Sequence, residues 1–486
     1  MNKAIFQLEP ERVWQHFYSI TQIPHPSKKE RALGSFIHSF GQKLGLESIV
    51  DEVGNVIIRK PATPGMEGCK GIILQAHFDM VPQKNSDVQH DFEKDPIEAY
   101  IDGEWVTANG TTLGADNGIG CAAAMAVLEA TDIAHGPIEA LFTIDEETGM
   151  TGAFGLKPGL LQGDILMNLD SETEGELYVG CAGGLDASIE FGIKREPVPA
   201  GLKAYRLAIT GLRGGHSGMD IVLGRANSIK LAFRFLYSAQ PLGLRIGQID
   251  GGSLRNAIPR EAFVEVLVPT AKAQELEQLA AKFEATYKAE FAATEPTLRM
   301  ALEQPAAVPQ FVIDERTQGN IIRAIFGCPN GVVRMSDSML GLVETSTNLA
   351  VVRTDGDKVL ACCLLRSSVD SSKEALANKM AGIFELAGAK IEFSGGYPGW
   401  KPNMQSPILN TMLKVYENKY GKKPEIKAIH AGLECGLLGG VYPKLDMISF
   451  GPTICSPHSP DEKVNIKTVG QFWDFLVEVL KHTPKK

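Results

Sequence analysis

The chain lacks the features that mark secreted and membrane-spanning proteins. Its eight cysteines form no CxxC pair and no framework spacing, which predicts scattered reduced thiols instead of disulfides. No apolar run approaches the roughly 18 to 20 residues of a membrane span. The stretch MNKAIFQLEPERVW has no long apolar segment, which argues against a secretory signal. These absences together predict a cytoplasmic protein.

Positive charge is also scarce. The chain has 48 lysines and arginines against 58 aspartates and glutamates, a net charge of −10 at pH 7. Because no basic stripe is present, neither nucleic acid nor an anionic membrane is expected as a partner. The content of 44% apolar and 22% charged residues is typical of a globular protein. A length of 486 residues predicts two or three domains.

In the first part of the chain, β-rich apolar runs alternate with helical ones. GIILQAH, IEALFTI and DILMNLD read as strands, and CAAAMAVLEA reads as a helix between them. This alternation predicts an α/β sheet covered by helices. Residues 48–59 alternate around a Gly-Asn turn and predict a hairpin. Ser27 followed by Glu30 predicts a capping box at the start of the second helix.

From about residue 186 the pattern changes to half-buried strands such as KAYRLAIT, AFVEVLVP and KVLACCLLRS. Helical stretches at 222–238, 271–290 and 371–387 separate them, which predicts an α+β insert. SLRNAIPREAFVEVLV is similar in pattern to STNLAVVRTDGDKVLACCLL, as a duplicated unit would be. The Gly/Pro-rich GGYPGWKPN marks a return to the first domain. We therefore expect one discontinuous domain at 1–186 and 398–486, with the insert at 187–397.

Five potential metal ligands, two imidazoles and three carboxylates, are spread along the first domain. Most of them follow an apolar run, and in open α/β sheets ligands bind just beyond the carboxyl ends of the strands. A mixed nitrogen and oxygen set suits borderline divalent ions such as zinc, cobalt or manganese, and it suffices for two ions if one carboxylate bridges. The five are His77, Asp116, Glu147, Asp170 and His458.

Each of these motifs has an ordinary alternative when taken alone. His77 and Asp79 form an H-x-D pair that is common at strand ends. GADNGIG around Asp116 competes with a phosphate loop, although it fits neither GxGxxG nor a Walker motif. Glu146 and Glu147 could be a solvated turn, but adjacent carboxylates repel unless a cation or proton relieves them. One acid on a metal and one free as general base would resolve the conflict. Taken jointly, the motifs predict a two-metal hydrolase.

In chain order, HFDMVP, GADNG, DEETG, NLDSE and PHSPDE resemble the co-catalytic metallopeptidases related to glutamate carboxypeptidase and carnosinase. The resemblance covers essentially the full length. Within that family, HFDMVPQKN, GLRGGHSGMDI and HAGLECGLLGG are most similar to bacterial dipeptidases. The resemblance implies a mixed-sheet catalytic domain of the α/β class that holds two metal ions, zinc before cobalt or manganese. It also implies that the insert is an α+β lid domain.

The resemblance implies a role for each metal ligand. Asp116 is expected to bridge the two ions, and the peptide bond that follows it is expected to be cis. His77 and Asp170 complete one ion, and Glu147 and His458 complete the other.

The resemblance also implies roles beyond the ligand set. Asp79 orients a ligand histidine, and Glu146 is the general base and acid. On the lid, His216 helps to stabilise the oxyanion and Arg366 holds the terminal carboxylate of the substrate. Glu434 is a candidate contact for the substrate amino group, at a loop where relatives often carry a GGS-type turn.

The activity implied by the resemblance is hydrolysis of unblocked dipeptides in a homodimer, with Xaa-His, including β-Ala-His (carnosine), favoured. Two alternatives stay open from the sequence. The first is an N-acyl amino acid deacylase or desuccinylase on the same scaffold, which would reject the free amine that a dipeptidase needs. The second is a catalytically silent metal-binding scaffold, against which the retained Glu146 argues.

Overall fold

A computed structural model describes residues 4–486, and the chain divides into two compact units. The first unit contains the chain up to Gly180 together with Pro402–Ala428 and Leu433–Lys486, and the second contains Cys181–Lys401 and Ile429–Gly432. The domain limits expected from the sequence, 1–186, 187–397 and 398–486, do not include the short segment 429–432 in the insert. These domain limits stay a prediction. None of the described helices is both long and apolar enough to cross a membrane.

Twelve α-helices form within the described residues. They are α1 (Glu11–Thr21), α2 (Arg31–Lys43), α3 (Ala115–Glu129), α4 (Glu146–Gly149), α5 (Thr151–Gly155), α6 (Ser228–Ala239), α7 (Ala273–Glu290), α8 (Glu315–Gly327), α9 (Asp370–Leu386), α10 (Pro407–Tyr420), α11 (Glu434–Val441) and α12 (Ile466–Lys481). Short 3₁₀ helices lie at Ile5–Gln7, Ile221–Leu223, Gln240–Leu242 and Thr270–Lys272.

The same residues form twenty-five strands. The strands up to the middle of the chain are β1 (Glu47–Val50), β2 (Val56–Lys60), β3 (Ile72–His77), β4 (Ala99–Asp102), β5 (Trp105–Ala108), β6 (Ile138–Thr143), β7 (Ile165–Asn168), β8 (Glu176–Cys181), β9 (Gly183–Gly192), β10 (Arg195–Pro197), β11 (Leu202–Thr210), β12 (Gly215–His216) and β13 (Arg245–Gly251). The others are β14 (Ala257–Ile258), β15 (Ala262–Pro269), β16 (Arg299–Glu303), β17 (Phe311–Ile313), β18 (Gly331–Met335), β19 (Val343–Asp355), β20 (Lys358–Ser367), β21 (Lys390–Tyr397), β22 (Glu425–Ile429), β23 (Asp446–Ser449), β24 (Ile454–Cys455) and β25 (Lys463–Asn465).

The first unit is built on an eight-stranded mixed sheet with the order β1-β2-β6-β3-β7-β23-β8-β22. At its centre β3 runs parallel to both β6 and β7. All residues of these three strands are buried, which explains why apolar residues predominate in their sequences. The mixed α/β fold predicted for this part of the chain is confirmed. A smaller sheet, β24-β25-β5-β4, belongs to the same unit.

Two local predictions for the first unit have opposite outcomes. The hairpin is confirmed, since β1 and β2 pair antiparallel with Val50 opposite Val56. The capping box at the second helix is wrong. The helix begins at Arg31 without a side-chain cap, and the hydroxyl of Ser27 instead donates to Asp79 Oδ2 at 2.7 Å. Lys28, the residue directly after Ser27, has a φ of 69°, so a right-handed helix cannot start there.

The second unit contains a nine-stranded antiparallel sheet with the order β16-β11-β15-β13-β19-β20-β9-β21 and with β18 beside β19. Apart from the short strands, each half has the chain order strand-helix-strand-strand-helix-strand: β11-α6-β13-β15-α7-β16 and β9-α8-β19-β20-α9-β21. Both halves also place their strands in the same spatial order, which is that of a split βαβ unit. The α+β character of the insert is confirmed, and the origin of the halves by duplication stays a prediction.

Helix limits in the second unit follow the sequence in part. The stretches predicted at 271–290 and 371–387 are helical within three residues at each end. The stretch at 222–238 becomes α-helical only from Ser228, because the side chain of Asn227 caps the helix by accepting from Lys230 N at 3.1 Å. The prediction missed α8.

Candidate metal centre

Three of the five predicted ligands lie beyond the ends of three adjacent strands. His77 is the last residue of β3, Glu147 follows β6, and Asp170 follows β7. Since these strands are neighbours and run parallel, their carboxyl ends meet at one edge of the sheet. Asp116 lies at the start of α3, and His458 lies in the loop between β24 and β25.

The carboxylate of Asp116 joins the two predicted halves of the ligand set. Its Oδ1 lies 3.2 Å from Nε2 of His77, and its Oδ2 lies 3.2 Å from Nε2 of His458. Each oxygen therefore faces a different imidazole, as a bridging carboxylate requires. The peptide bond between Asp116 and Asn117 is cis, as the resemblance implied.

A second carboxylate completes each half. Nε2 of His77 is 3.2 Å from Asp170 Oδ1, and Nε2 of His458 is 2.9 Å from Glu147 Oε2. Within each of these triads, the three potential ligand atoms all lie within 4.8 Å of one another. The structure thus brings all five predicted ligands together as two triads that share Asp116.

The residues present fit two divalent ions. Ligand atoms of a tetrahedral zinc ion with bonds of about 2.0 Å lie about 3.3 Å apart, close to the 3.2 Å that separates the atoms here. Among residues 4–486, the buried atom Glu147 Oε1 has no hydrogen-bond partner. Buried carboxylate oxygens without donors are typical of a site that binds a cation.

The electrostatics of the centre favour positive charge. Burial lowers the pKa of His77, but the carboxylates of Asp170, Asp116 and Asp79 outweigh it and raise that pKa well above its usual range. Hydrogen bonds to Asp116 and Glu147 raise the pKa of His458 to about 11. Because an imidazole binds metal only when it is neutral, metal ions here would displace protons.

Asp79 supports the site from outside. Its Oδ1 lies 3.3 Å from Nδ1 of His77, the nitrogen that points away from the triad. The same oxygen accepts from the backbone N of Glu146 at 2.9 Å, and Oδ2 accepts from the backbone N of Glu147 at 3.3 Å and from Ser27. One buried carboxylate therefore holds both the imidazole of His77 and the segment that carries the two glutamates.

The carboxylate of Glu146 lies beside this ligand set. One of its oxygens is within 4.8 Å of potential ligand atoms of His77 and Glu147. Burial, reinforced by the nearby acids, raises the pKa of Glu146 well above its usual range. A carboxyl group with a raised pKa can both accept and return a proton near neutral pH, as a general base and acid must.

Glu434, the predicted contact for a substrate amino group, is fully buried at the start of α11. Its Oε2 accepts from Gln75 Nε2 at 2.6 Å and from Thr143 Oγ1 at 2.8 Å. Burial raises its pKa to about 7, and Oε1 has no partner among the described residues. The carboxylate is thus part of a buried polar cluster at the ends of β3 and β6.

The two predicted lid residues lie on the second unit. Nδ1 of His216 accepts from the backbone N of Gly218 at 3.2 Å and of Met219 at 3.1 Å. These bonds leave Nε2 as the N–H donor of a neutral imidazole, and burial followed by the charge of Arg366 lowers the pKa of His216. Arg366 is 6% exposed, and its Nε has no partner within residues 4–486.

Comparisons with known proteins decide the family. The model of "Peptidase family M20/M25/M40" matches residues 73–482. The chain belongs to this peptidase family. It is 49% identical over 481 residues to the cytosol non-specific dipeptidase of Escherichia coli strain K12, covering 99% of each chain. The crystal structure of an aminoacylhistidine dipeptidase from Vibrio alginolyticus matches with a TM-score of 0.95 and 53% identity, covering 99% of this chain and 98% of that one.

A more distant relative is the N-acetyl-L-cysteine deacetylase of Bacillus subtilis strain 168. It is 26% identical over 256 residues, which are 48% of this chain and 57% of that protein. The resemblance found in the sequence motifs is confirmed, both for the family and for its bacterial dipeptidases. The M20 chain is accordingly a peptidase.

The sequence motifs of this M20 peptidase gave no role to two buried residues, Glu462 in the first unit and His430 in the second. Glu462 accepts four backbone hydrogen bonds from the turn before α3, although it lies inside the quoted PHSPDE motif. His430, on the second unit, lies 2.7 Å through Nε2 from Ser346 Oγ. Bonds between residues that are dozens or hundreds of positions apart leave no local pattern, so only the fold reveals them.

Proposed function

We propose that this M20 peptidase is a metal-dependent dipeptidase that hydrolyses unblocked dipeptides, with Xaa-His, including β-Ala-His, favoured. The observation that carries the proposal is the carboxylate of Asp116, whose two oxygens each face one histidine–carboxylate pair. The names of the Escherichia coli and Vibrio relatives, a cytosol non-specific dipeptidase and an aminoacylhistidine dipeptidase, support the substrate class.

Two divalent ions held by the triads would polarise the scissile carbonyl and lower the pKa of the attacking water. The neighbouring side chains would transfer the proton and orient the ligands. Glu146 takes the proton of the attacking water and returns it to the departing amino nitrogen. Asp79 keeps the imidazole of His77 in the orientation in which Nε2 faces the ligand set.

We infer that His216, Arg366 and Glu434 contact the substrate. The neutral imidazole of His216 offers an Nε2–H donor, which suits the oxyanion that forms on the scissile carbonyl. The planar fork of Arg366 suits the terminal carboxylate of a dipeptide. Glu434 would take the substrate amino group through its unpartnered Oε1.

Zinc is the ion we propose, with cobalt or manganese as substitutes, because the donor set combines imidazole and carboxylate. A homodimer and a cytoplasmic location are further proposals. The first is supported by the family resemblance, and the second by the scattered cysteines and by the cytosolic relative. Light scattering on the purified protein tests the dimer.

The deciding experiment measures hydrolysis of carnosine and a panel of Xaa-Xaa dipeptides by metal-depleted protein after addition of zinc, cobalt or manganese. Glu146→Gln is assayed beside it. Glu104→Gln, at an exposed acid in the β4–β5 turn of the same unit, serves as the matched control. We expect metal-dependent cleavage that Glu146→Gln lowers at least about 100-fold, the usual scale of general-base catalysis, and that the control retains.

Other outcomes would redirect the assignment. Cleavage only of N-acetylated amino acids would make the protein a deacylase. Binding of two metal ions without turnover of any substrate would make it a silent scaffold.

A further inference from the structure

Glu462 is a buried acid, 2% exposed, that no ligand or catalytic role explains. Its Oε2 accepts from the backbone N of Leu113 at 2.7 Å and of Gly114 at 3.0 Å. Its Oε1 accepts from the backbone N of Ala115 at 2.8 Å and of Asp116 at 3.2 Å. One carboxylate thus receives four consecutive N–H groups, and the last of them belongs to the bridging ligand.

The four N–H groups lie in the turn that leads into α3, whose regular turns begin only after Asp116 and Asn117, since these two residues have non-helical backbone angles. Backbone donors at this point have no partner within the helix. A negative charge is favourable at this position because the helix dipole is positive there. The turn contains Gly114 with φ of 72°, so its backbone curls around the carboxylate. The carboxylate of Glu462 is therefore bound to this turn through all four of its N–H groups.

The backbone of Glu462 belongs to the loop that carries His458. Glu462 lies four residues beyond that histidine, between β24 and β25. The carbonyl oxygen of Glu462 also accepts from Thr107 Oγ1 on β5 at 2.7 Å. Both the backbone and the side chain of Glu462 therefore anchor the loop to the first unit.

We propose that Glu462 is a positioning residue that locks the loop of His458 to the turn of Asp116, and thereby fixes the spacing between the two metal-binding triads. The proposal rests on the proposed metal-dependent function, since it assigns Glu462 to the assembly of that site. Asp116 and His458 come from sequence positions more than 300 residues apart, and the side chain of Glu462 joins the backbone of Asp116 to the loop that carries His458.

The proposal predicts the effect of Glu462→Gln. In either orientation the amide turns its NH₂ group toward two of the four N–H donors, so one pair loses its acceptor and meets a second donor. The turn of Asp116 and the loop of His458 are then no longer held in a fixed relative position. Changes outside the ligand set typically lower metal affinity or activity by about 10- to 100-fold, and we expect that range for the ion shared by Asp116, Glu147 and His458.

The experiment compares full-length wild type, Glu462→Gln, Glu462→Asp and, as matched control, Asp461→Asn, whose acid is adjacent and exposed. Each protein is depleted of metal and titrated with Zn²⁺ by calorimetry, and the Co²⁺ absorption spectrum reports the coordination geometry. We expect weaker binding of the ion shared by Asp116, Glu147 and His458, together with an altered Co²⁺ spectrum, in Glu462→Gln and to a lesser degree in Glu462→Asp. Asp461→Asn should behave as the wild type. For carnosine, kcat should fall while KM stays within about twofold, since no substrate contact is removed.

Equal Zn²⁺ affinity in Glu462→Gln and Asp461→Asn would overturn the proposal, even if the melting temperature of the former falls. If Glu462→Gln does not fold, Glu462→Asp decides. Its shorter carboxylate keeps the charge but cannot reach all four donors, so wild-type affinity in that variant would equally overturn the idea. A wild type that binds two ions but cleaves no peptide would refute the proposed function and leave this metal titration valid.

Discussion

At the scale of single residues, the site depends on carboxylates that touch no substrate. Asp79 contacts the outward nitrogen of His77, two backbone N–H groups and the hydroxyl of Ser27. Burial acts to raise the pKa of Asp79, but the hydrogen bond and charge of His77 reverse this and hold it below its usual range. The acid therefore stays ionised and accepts from all its partners.

Replacing Asp79 by Asn should lower both metal affinity and kcat by about 10- to 100-fold. The amide keeps the size of the side chain but turns a donor toward partners that need an acceptor. Ser27→Ala removes only one of these bonds and should cost about 1 kcal/mol of stability with activity near wild type. Steady-state kinetics and zinc titration of both variants check this, and equal losses in the two would contradict it.

His430 should make the stability of the protein fall in acid. Burial and then the charge of Arg366 lower its pKa from 6.5 to about 3. Between these values the unfolded chain binds a proton that the folded chain does not, so stability is complete above pH 6.5 and is lost as pH falls toward 3. The slope from this group is about 1.4 kcal/mol per pH unit.

The measurement is the difference in unfolding free energy between wild type and His430→Gln, followed from pH 7.5 to pH 4.5. The wild type should lose its advantage progressively below pH 6.5. A difference that does not change with pH would show that His430 titrates normally.

Sequence reasoning picked out the proposed ligand residues because apolar runs show where strands end, and parallel strands bring their ends together. It could not locate Glu462, whose partners at 113–116 are about 350 positions away. It also misread Ser27, because a local capping pattern and a distant buried carboxylate compete for the same hydroxyl. For Glu434, position in a motif did not reveal that the side chain is fully buried.

At the scale of elements, α3 packs tightly against its neighbours because glycine, which has no side chain, occupies position 120. A Cβ added at Gly120 would lie 2.8 Å from the carbonyl oxygen of Leu169 and would also meet the side chain of Asn117. That asparagine donates to the same carbonyl at 2.8 Å. The helix carrying Asp116 is thus held directly against the segment carrying Asp170.

Gly120→Ala should therefore destabilise the protein by about 1–3 kcal/mol through overpacking, and it should weaken metal binding as α3 shifts. Gly382 in α9 is the matched control, since a Cβ there meets nothing within 4 Å. Gly382→Ala should stabilise the protein by about 0.5–1 kcal/mol through helix propensity. Chemical denaturation measures the change in unfolding free energy of each variant. A loss of stability in both variants would contradict the packing argument.

Element types were easier to predict than their limits. The buried parallel strands and the hairpin follow from apolar runs and a turn signal. The start of α6 was placed too early, because the apolar pattern begins at the 3₁₀ turn Ile221–Leu223 while the Asn227 cap sets the helix start. The topology of the second unit depends on pairings between distant strands, which no periodicity encodes.

At the scale of the whole molecule, bound metal should stabilise the fold. Ions that bind only the folded state raise the unfolding free energy by RT ln(1 + [L]/Kd), or about 2.7 kcal/mol at a hundredfold excess over Kd. Calorimetric scans of zinc-loaded and chelator-treated protein should show a higher melting temperature for the former. His458→Gln should remove much of that increase, and an unchanged increase in this variant would place the ions elsewhere.

The order of strands in the second unit also has a consequence for biosynthesis. β9 precedes the whole half-sheet formed by residues 202–303, yet it pairs with β20, in a register that joins Gly192 to Lys358. During synthesis, the half formed by residues 202–303 can fold first because its strands are joined by short connections. Until β20 has been synthesised, β9 has no strand to pair with on that side. His458 follows both halves in the sequence, so the proposed triad of Asp116, Glu147 and His458 can form only after both halves have been synthesised.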